Sequence, residues 1–202
     1  MGSSFFEKAS SVATVAGFGF YMAAFGLLGV LPWLMTDKIA PVQSGRQFEQ
    51  RFLPAQVPLD FRGHYKDLAA YRDGLYLGKK VYIAEGCWHC HTQYVRPVGN
   101  EAARYGPVSE NWEYQNEMNL PQLFGTRRVG PDLIREYNKH STDWHIAHFR
   151  NPTDVVPESV MPSYDWFFNS DGSLNDRGWA IVAYVQWLGS WRELPANKKE
   201  QG

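Results

Sequence analysis

The sequence predicts a mostly α-helical protein in which one N-terminal transmembrane helix leads into a single compact helical domain that carries a long irregular insertion. Three observations predict it. No charged residue occurs from Ala9 to Thr36. Apolar residues recur at helical spacing between Lys66 and Glu85 and again after Asp176. The section between them, from Thr92 to Val129, is rich in Gly, Pro, Asn and Glu and shows little periodicity.

Within the uncharged run, Val12 to Leu34 reads VATVAGFGFYMAAFGLLGVLPWL. As a helix it spans ~35 Å, enough to cross a hydrocarbon core of about 30 Å with some tilt. A cleaved signal peptide has a shorter apolar region, roughly 7–15 residues, and no A-x-A-like site follows this one. Ala13 with Gly17, and Gly19 with Ala23, place small residues four apart, where a second helix can approach closely. Tyr21 and Trp33 suit the membrane interfaces, and Pro32 suits the helix end. Lys8 on one side and Lys38 on the other leave the charge rule for orientation undecided.

Residues 1–36 are therefore read as the anchor, 37–58 as a linker or partner-contacting arm with three prolines, 59–194 as the domain and 195–202 as a flexible tail. Twenty Lys and Arg against 21 Asp and Glu give a net charge of -1, which removes any bulk electrostatic case for nucleic acid. Aromatic residues make up 15% of the chain, with eight tryptophans, which points to a planar ligand, a protein interface or a membrane boundary. The first domain helix carries a stripe of Leu68, Tyr71, Leu75, Leu77 and Val81. Ser141-Thr142-Asp143 can cap a helix holding Trp144, His145, His148 and Phe149. The last helix is predicted from Asp176 to Trp191, with an acidic start and an aromatic stripe.

The stretch GCWHCH, residues 86–91, holds both cysteines of the chain. Cys87-Trp88-His89-Cys90-His91 matches C-x-x-C-H, the attachment signature of a c-type haem. Two thiols about one helical turn apart can add to the two vinyl groups on one porphyrin edge, and the following histidine then reaches the iron. His89, between the thiols, points away. Three rivals compete: a thioredoxin-like redox pair, which wants a βαβ context; a zinc site recruiting Cys87, Cys90 and two of His91, His145 and His148 across an interval far longer than finger spacings; and a disulfide between Cys87 and Cys90 closing a tiny loop.

A haem needs a second axial ligand, and Met161, in VVPESVMPSY, sits in a loop framed by Pro157 and Pro162. Met118 is assigned to packing. His140, His145 and His148 are the alternatives, and would give bis-imidazole ligation and a lower potential. With His91 and Met161 both bound, the iron keeps no open position, so its work is electron transfer rather than catalysis.

GCWHCH, Gly130-Pro131-Asp132-Leu133, a Met-Pro pair and a closing aromatic helix together resemble the class I cytochrome c domain. The resemblance implies that Pro131 offers its carbonyl to the ring N–H of His91, and that Tyr82, Trp179, Ala183 and Trp187 pack where the first and last helices cross near Gly78. CHTQYVRP, RYG, GTRRVGPDL, DWHIAHFRNPTDVVPES and MPSYDWF, with the single anchor, are similar to the monohaem subunit (FixO/CcoO type) of cbb3-type cytochrome c oxidases. Thr92, where Ser is more usual, and the segment NWEYQNEMNLPQLFG depart from that pattern, which bears on subunit contacts.

The family implies one haem c passing electrons from a donor cytochrome c, often a dihaem subunit, to the haem b of a heme-copper catalytic subunit that reduces oxygen. It further implies a location in the cytoplasmic membrane, with the N-terminus inside and the haem domain facing the periplasm. Arg96 and Arg128, with Arg104 and Arg127, are candidates for pairing with the haem propionates. The family also allows a calcium ion at the interface with the catalytic subunit. Two rival functions stay open, the cytochrome subunit of a nitric oxide reductase and a free-standing membrane-tethered electron shuttle.

Overall fold

The computed structural model describes residues 4–36, 52, 54–114, 116–127 and 129–193. Most of the 37–58 stretch, the 195–202 tail, Lys38 and Arg128 therefore lie outside the described residues. The chain divides into two units, Met1–Gln43 and Ser44–Gly202.

In the first unit, α1 (Phe5–Ala24) runs through a π-helical segment (Phe25–Val30) into α2 (Leu31–Thr36). Its apolar part, Lys8–Met35, has 28 residues and a mean hydropathy of 1.8, and none of it is buried within the chain. That is ~42 Å of helix, apolar on every side, as a membrane span is. The helix does not end at Pro32 but continues to Thr36. Just before the proline the register widens: the Leu31 N–H donates to the Gly26 carbonyl, five residues back. A π-type register relieves the crowding that a proline ring imposes on the preceding turn of an α-helix.

The second unit is built on α3 (Leu68–Ala84), α4 (Glu101–Tyr105), α5 (Thr142–Arg150), α6 (Pro152–Val155) and α7 (Asp176–Trp187). No strand occurs among the described residues; Thr92 and Asp132 form an isolated parallel bridge, and Phe168 and Leu174 an antiparallel one. Each long helix starts on a side-chain cap. Asp67 accepts from the Ala70 N–H at 2.8 Å, Ser141 from Trp144 at 3.2 Å and Asn175 from Gly178 at 3.0 Å. These bonds satisfy N–H groups that the first turn leaves unpaired.

The core lies where α3 and α7 pack together. Tyr71, Leu75, Val81 and Tyr82 of α3 meet Ile181, Val182, Ala183, Tyr184 and Trp187 of α7, all buried. The buried stripe of α3 runs through Gly74, Gly78 and Tyr82, whereas Leu77 stays partly exposed. Gly78 makes the close approach: a Cβ there would overlap the Ala180 carbonyl and come within 2.6 Å of the Tyr184 Cβ. Helix α7 stops at Trp187, four residues before the predicted end. Gly189, at φ 83°, turns the chain, and a Cβ there would strike the Ile134 carbonyl. Trp191 then folds back onto Trp187 at 4.9 Å and onto Phe52 at 5.3 Å, and the Trp187 indole donates to the Phe52 carbonyl at 2.9 Å. At Phe52, then, the stretch between anchor and domain lies on the domain itself.

Polar networks, not periodicity, organise the middle section. The Tyr184 hydroxyl donates to Asn119 Oδ1 at 2.7 Å, Asn119 Nδ2 to Gln93 Oε1 at 2.8 Å, and Gln93 Nε2 back to the Tyr184 hydroxyl at 3.2 Å. This closed ring of three buried side chains fixes two parts of the section to α7. The buried Arg135 grips both carboxylate oxygens of the buried Glu113, at 2.7 and 3.0 Å, and donates twice more to the Pro107 carbonyl. Lys79 of α3 reaches the carbonyl of Leu120.

Replacing Gly78 by Ala is expected to cost about 1–3 kcal/mol through overpacking at the helix crossing. The full chain in detergent should melt several degrees lower, while Gly63→Ala, whose Cβ would meet nothing within 4 Å, should leave the melt within about a degree.

Candidate functional site

Gly86, at φ 69°, turns the chain out of α3, and Cys87–His89 form a single 3-10 turn. The His91 N–H donates to the Cys87 carbonyl at 2.9 Å, so the turn carries the two thiols and the imidazole together. All three line one cavity of about 500 Å³, inside the roughly 300–1,000 Å³ range of small-molecule and cofactor sites. His89 stacks on Trp88 at 4.0 Å and does not line it.

A second strip of chain is laced along the first. Thr126 donates to the Trp88 carbonyl, Arg127 to His89, Gly130 to Cys90 and Leu133 to Thr92, at 2.9 to 3.2 Å. The Thr92 hydroxyl donates to Asp132 Oδ2 at 2.9 Å. This lacing presents the Pro131 carbonyl 3.1 Å from His91 Nδ1. A carbonyl can only accept, so Nδ1 carries the proton and the Nε2 lone pair is left free. Burial lowers the His91 pKa, with the Pro131 bond acting against it, which keeps the ring neutral. Gly130 lies directly against the ring: a Cβ there would overlap His91 Cε1 and come within 2.7 Å of Nδ1.

Met161 lines the same cavity, in a segment without regular secondary structure. Its N–H donates to Ser159 Oγ at 3.2 Å, and the Tyr164 N–H ties the segment to the Phe149 carbonyl of α5 at 2.9 Å. Met118, by contrast, is buried in the core. His140, His145 and His148 line the cavity with Trp144. Burial, then neighbouring imidazoles, push His145 and His148 down to about 4.

The arginines lie elsewhere. Arg96 pairs with Glu101, Nε to Oε1 at 2.6 Å, and Arg104 lies 5.0 Å over the Tyr105 ring. Neither of them, nor Arg127, lines the cavity, and Arg128 falls outside the described residues.

The site chemistry separates the sequence rivals. Cys87 and Cys90 are free thiols. Burial, reinforced by Glu85, pushes the Cys87 thiol up to about 12, opposite to the depressed pKa of a redox-active cysteine. Among the described residues no three His, Cys, Asp or Glu side chains converge on a metal position, so the four-ligand zinc arrangement is not assembled. What is assembled is a largely apolar cavity with two thiols, a neutral imidazole of fixed tautomer and a thioether on its wall, a donor set that fits a covalently held haem.

A crossed pair of terminal helices around such a cavity defines a cytochrome c domain. A family model described as cytochrome c oxidase, mono-heme subunit/FixO, matches residues 64–178. That is more than half of the chain, and the chain belongs to this family. No curated protein matches it.

Sequence reasoning passed over the buried Glu113–Arg135 pair, which holds the cavity wall from behind. Asp132 Oδ1 lies 3.7 Å from Arg135 Nη1, so one guanidinium serves both Glu113 and the segment presenting Pro131. The available signal was an arginine three residues after Asp132, beside the Gly-Pro-Asp-Leu element. Glu113→Gln would leave that guanidinium short of a counter-charge, and a loss of roughly 3 kcal/mol or more is expected. Chemical denaturation of the purified chain measures it, with Glu110→Gln, at a carboxylate that meets an exposed indole, as the control expected to cost under about 1 kcal/mol.

Proposed function

We propose that this chain is the membrane-anchored monohaem cytochrome c subunit of a cbb3-type heme-copper oxidase. In this role it takes single electrons from a donor cytochrome c, such as a dihaem subunit, and hands them to the haem b of the catalytic subunit. The observation that carries the reading is the convergence of Cys87, Cys90, His91 and Met161 on one cavity, in a chain of the monohaem oxidase-subunit family.

Bound there, a haem supplies a one-electron Fe(III)/Fe(II) couple. Cys87 and Cys90 hold it covalently. His91 presents Nε2 because Pro131 occupies Nδ1, and this orients the ring and strengthens it as a ligand. Met161 would hold the iron from its own side of the cavity through its thioether. The competing imidazoles are less suited: His140 and His148 stack on Trp144 at 3.8 and 4.6 Å, and ligation would take a ring out of that stack. With His91 and Met161 both engaged, the group would supply electron transfer alone, and reduction of oxygen would fall to a partner. Attachment of haem c on the outer side of the cytoplasmic membrane places the domain in the periplasm and the N-terminus inside.

The first experiment is a reduced pyridine haemochrome spectrum of material copurified with the intact chain from membranes in mild detergent. Haem c with haem b supports the oxidase reading, and oxygen rather than nitric oxide turnover completes it; absence of haem c overturns it. Met161→Ala is expected to lower the midpoint potential and alter the spectrum, because thioether ligation raises the potential. An unchanged spectrum and potential would remove Met161 from the ligand set. Cys87→Ala or Cys90→Ala should yield a haemochrome shifted toward single-thioether attachment.

A further inference from the structure

One wall of the cavity is built from four nitrogen-bearing rings. His140, in the turn before α5, stacks nearly parallel on Trp144, and Trp144 on His148 four residues along the same helix face, with interplanar angles of 14° and 16°. His145 stands edge-on to Trp144 at 5.2 Å and 88°. All four line the cavity. His148 Nδ1 is buried without a hydrogen-bond partner. The nearest carboxylate to His140 is Glu136, at 3.7 Å, and it already holds Lys139 at 2.7 Å. Among the described residues lining the cavity there is neither lysine nor arginine. The described lining thus has one donor-rich wall and carries no fixed cation of its own.

We propose that His140 and His145, together with the Trp144 indole N–H, form the anion subsite of this cavity and receive the two propionate carboxylates of the haem. The proposal rests on the haem reading above. It assigns to imidazole and indole donors the work that the sequence gave to Arg96 and Arg128. Carboxylates accept hydrogen bonds from such donors, and more strongly when the imidazole is protonated. A carboxylate beside a buried histidine raises its pKa back toward the physiological range. One-electron reduction removes a unit of positive charge from the site, so the buried His145 imidazole then holds a proton more tightly, drawn from solvent. The sign follows: the potential rises as pH falls. The other charged or titratable groups facing these rings are Glu136 with Lys139, Asp143 and His148 on the same stretch, and His91, Glu158 and Tyr82 elsewhere on the lining.

The test is a redox titration of the detergent-purified complex containing the intact chain, from about pH 6 to about pH 8. In His140→Phe/His145→Phe, the ferrous-to-ferric ratio at a fixed ambient potential near the lower pH is expected to fall by about tenfold, the equivalent of one pKa unit, and its dependence on pH should flatten. His145→Gln keeps an N–H donor but cannot titrate, so it should retain the haem and lose part of the slope. Arg96→Gln should change neither. If haem c is attached and both histidine variants reproduce the wild-type curve, the subsite proposal is overturned while the haem reading stands. If the wild-type chain carries no haem c, the haem reading itself fails. If the double variant does not assemble, the slope in His145→Gln decides.

Discussion

The close crossing of α3 and α7 at Gly78 is the constraint on which the rest of the domain depends. The two helices approach until the α3 backbone touches the Ala180 carbonyl and the Tyr184 side chain, and dispersion contact at that range requires a residue without a Cβ. The crossing sets both ends of the site. One turn along α3 it places Tyr82 on the cavity wall, and at the helix end Gly86 turns the chain into the two cysteines. On α7 it places Tyr184, the member of the Gln93–Asn119–Tyr184 ring that sits on an α-helix.

Polar interactions then do what periodic packing cannot. From Thr92 to Val129 there is little regular helix to bury, so a hydrophobic stripe cannot hold the section. Buried hydrogen bonds that are mutually satisfied hold it instead, and in a low-dielectric interior they tolerate little rearrangement. The Glu113–Arg135 pair extends this to the wall of the cavity. Arg135 spends its donors on Glu113 and the Pro107 carbonyl, and its charge also faces Asp132. Asp132 is in turn bound by Thr92, one residue after His91. The orientation of the His91 ring therefore depends on a chain of contacts reaching the far end of the insertion.

The parts of this architecture legible in the sequence are those written in local pattern. The uncharged apolar run gives the anchor, helical spacing gives α3 and α7, and Ser141 marks the start of α5 by its side-chain chemistry. C-x-x-C-H and Gly-Pro-Asp-Leu bring together residues forty apart because each is a short, chemically constrained unit. What pattern could not supply is long-range. Glu113 and Arg135, Gln93 and Tyr184, and Gly189 against Ile134 are pairs whose members look unremarkable alone. Helix α7 ends early because Gly189 meets a carbonyl from another segment, which helical periodicity cannot register. Pro32 was misplaced for a related reason: its effect on the helix was absorbed by a π segment that no local rule announces. Arginines near the motif are conspicuous in sequence, whereas the imidazoles and indole that share one wall of the described cavity are brought together only once α5 and the turn before it are folded.

The same wall bears on how an electron carrier of this kind is tuned. Burial in an apolar cavity disfavours whichever state of the iron centre carries more net charge, and thioether ligation favours the reduced state. An arginine beside the propionates would add a fixed positive charge, stabilising the reduced state equally at every pH. Histidines make that contribution conditional. Set against Trp144, His145 and His148 stay neutral when nothing negative is near, since burial opposes their charging. At the proposed subsite His145 would become cationic only in response to a carboxylate, and its stabilisation of the reduced state would then be coupled to the proton concentration on its side of the membrane. A domain holding its cofactor in this way has a driving force for electron transfer that varies with pH, by an amount set by the distance between those rings and the carboxylates they meet.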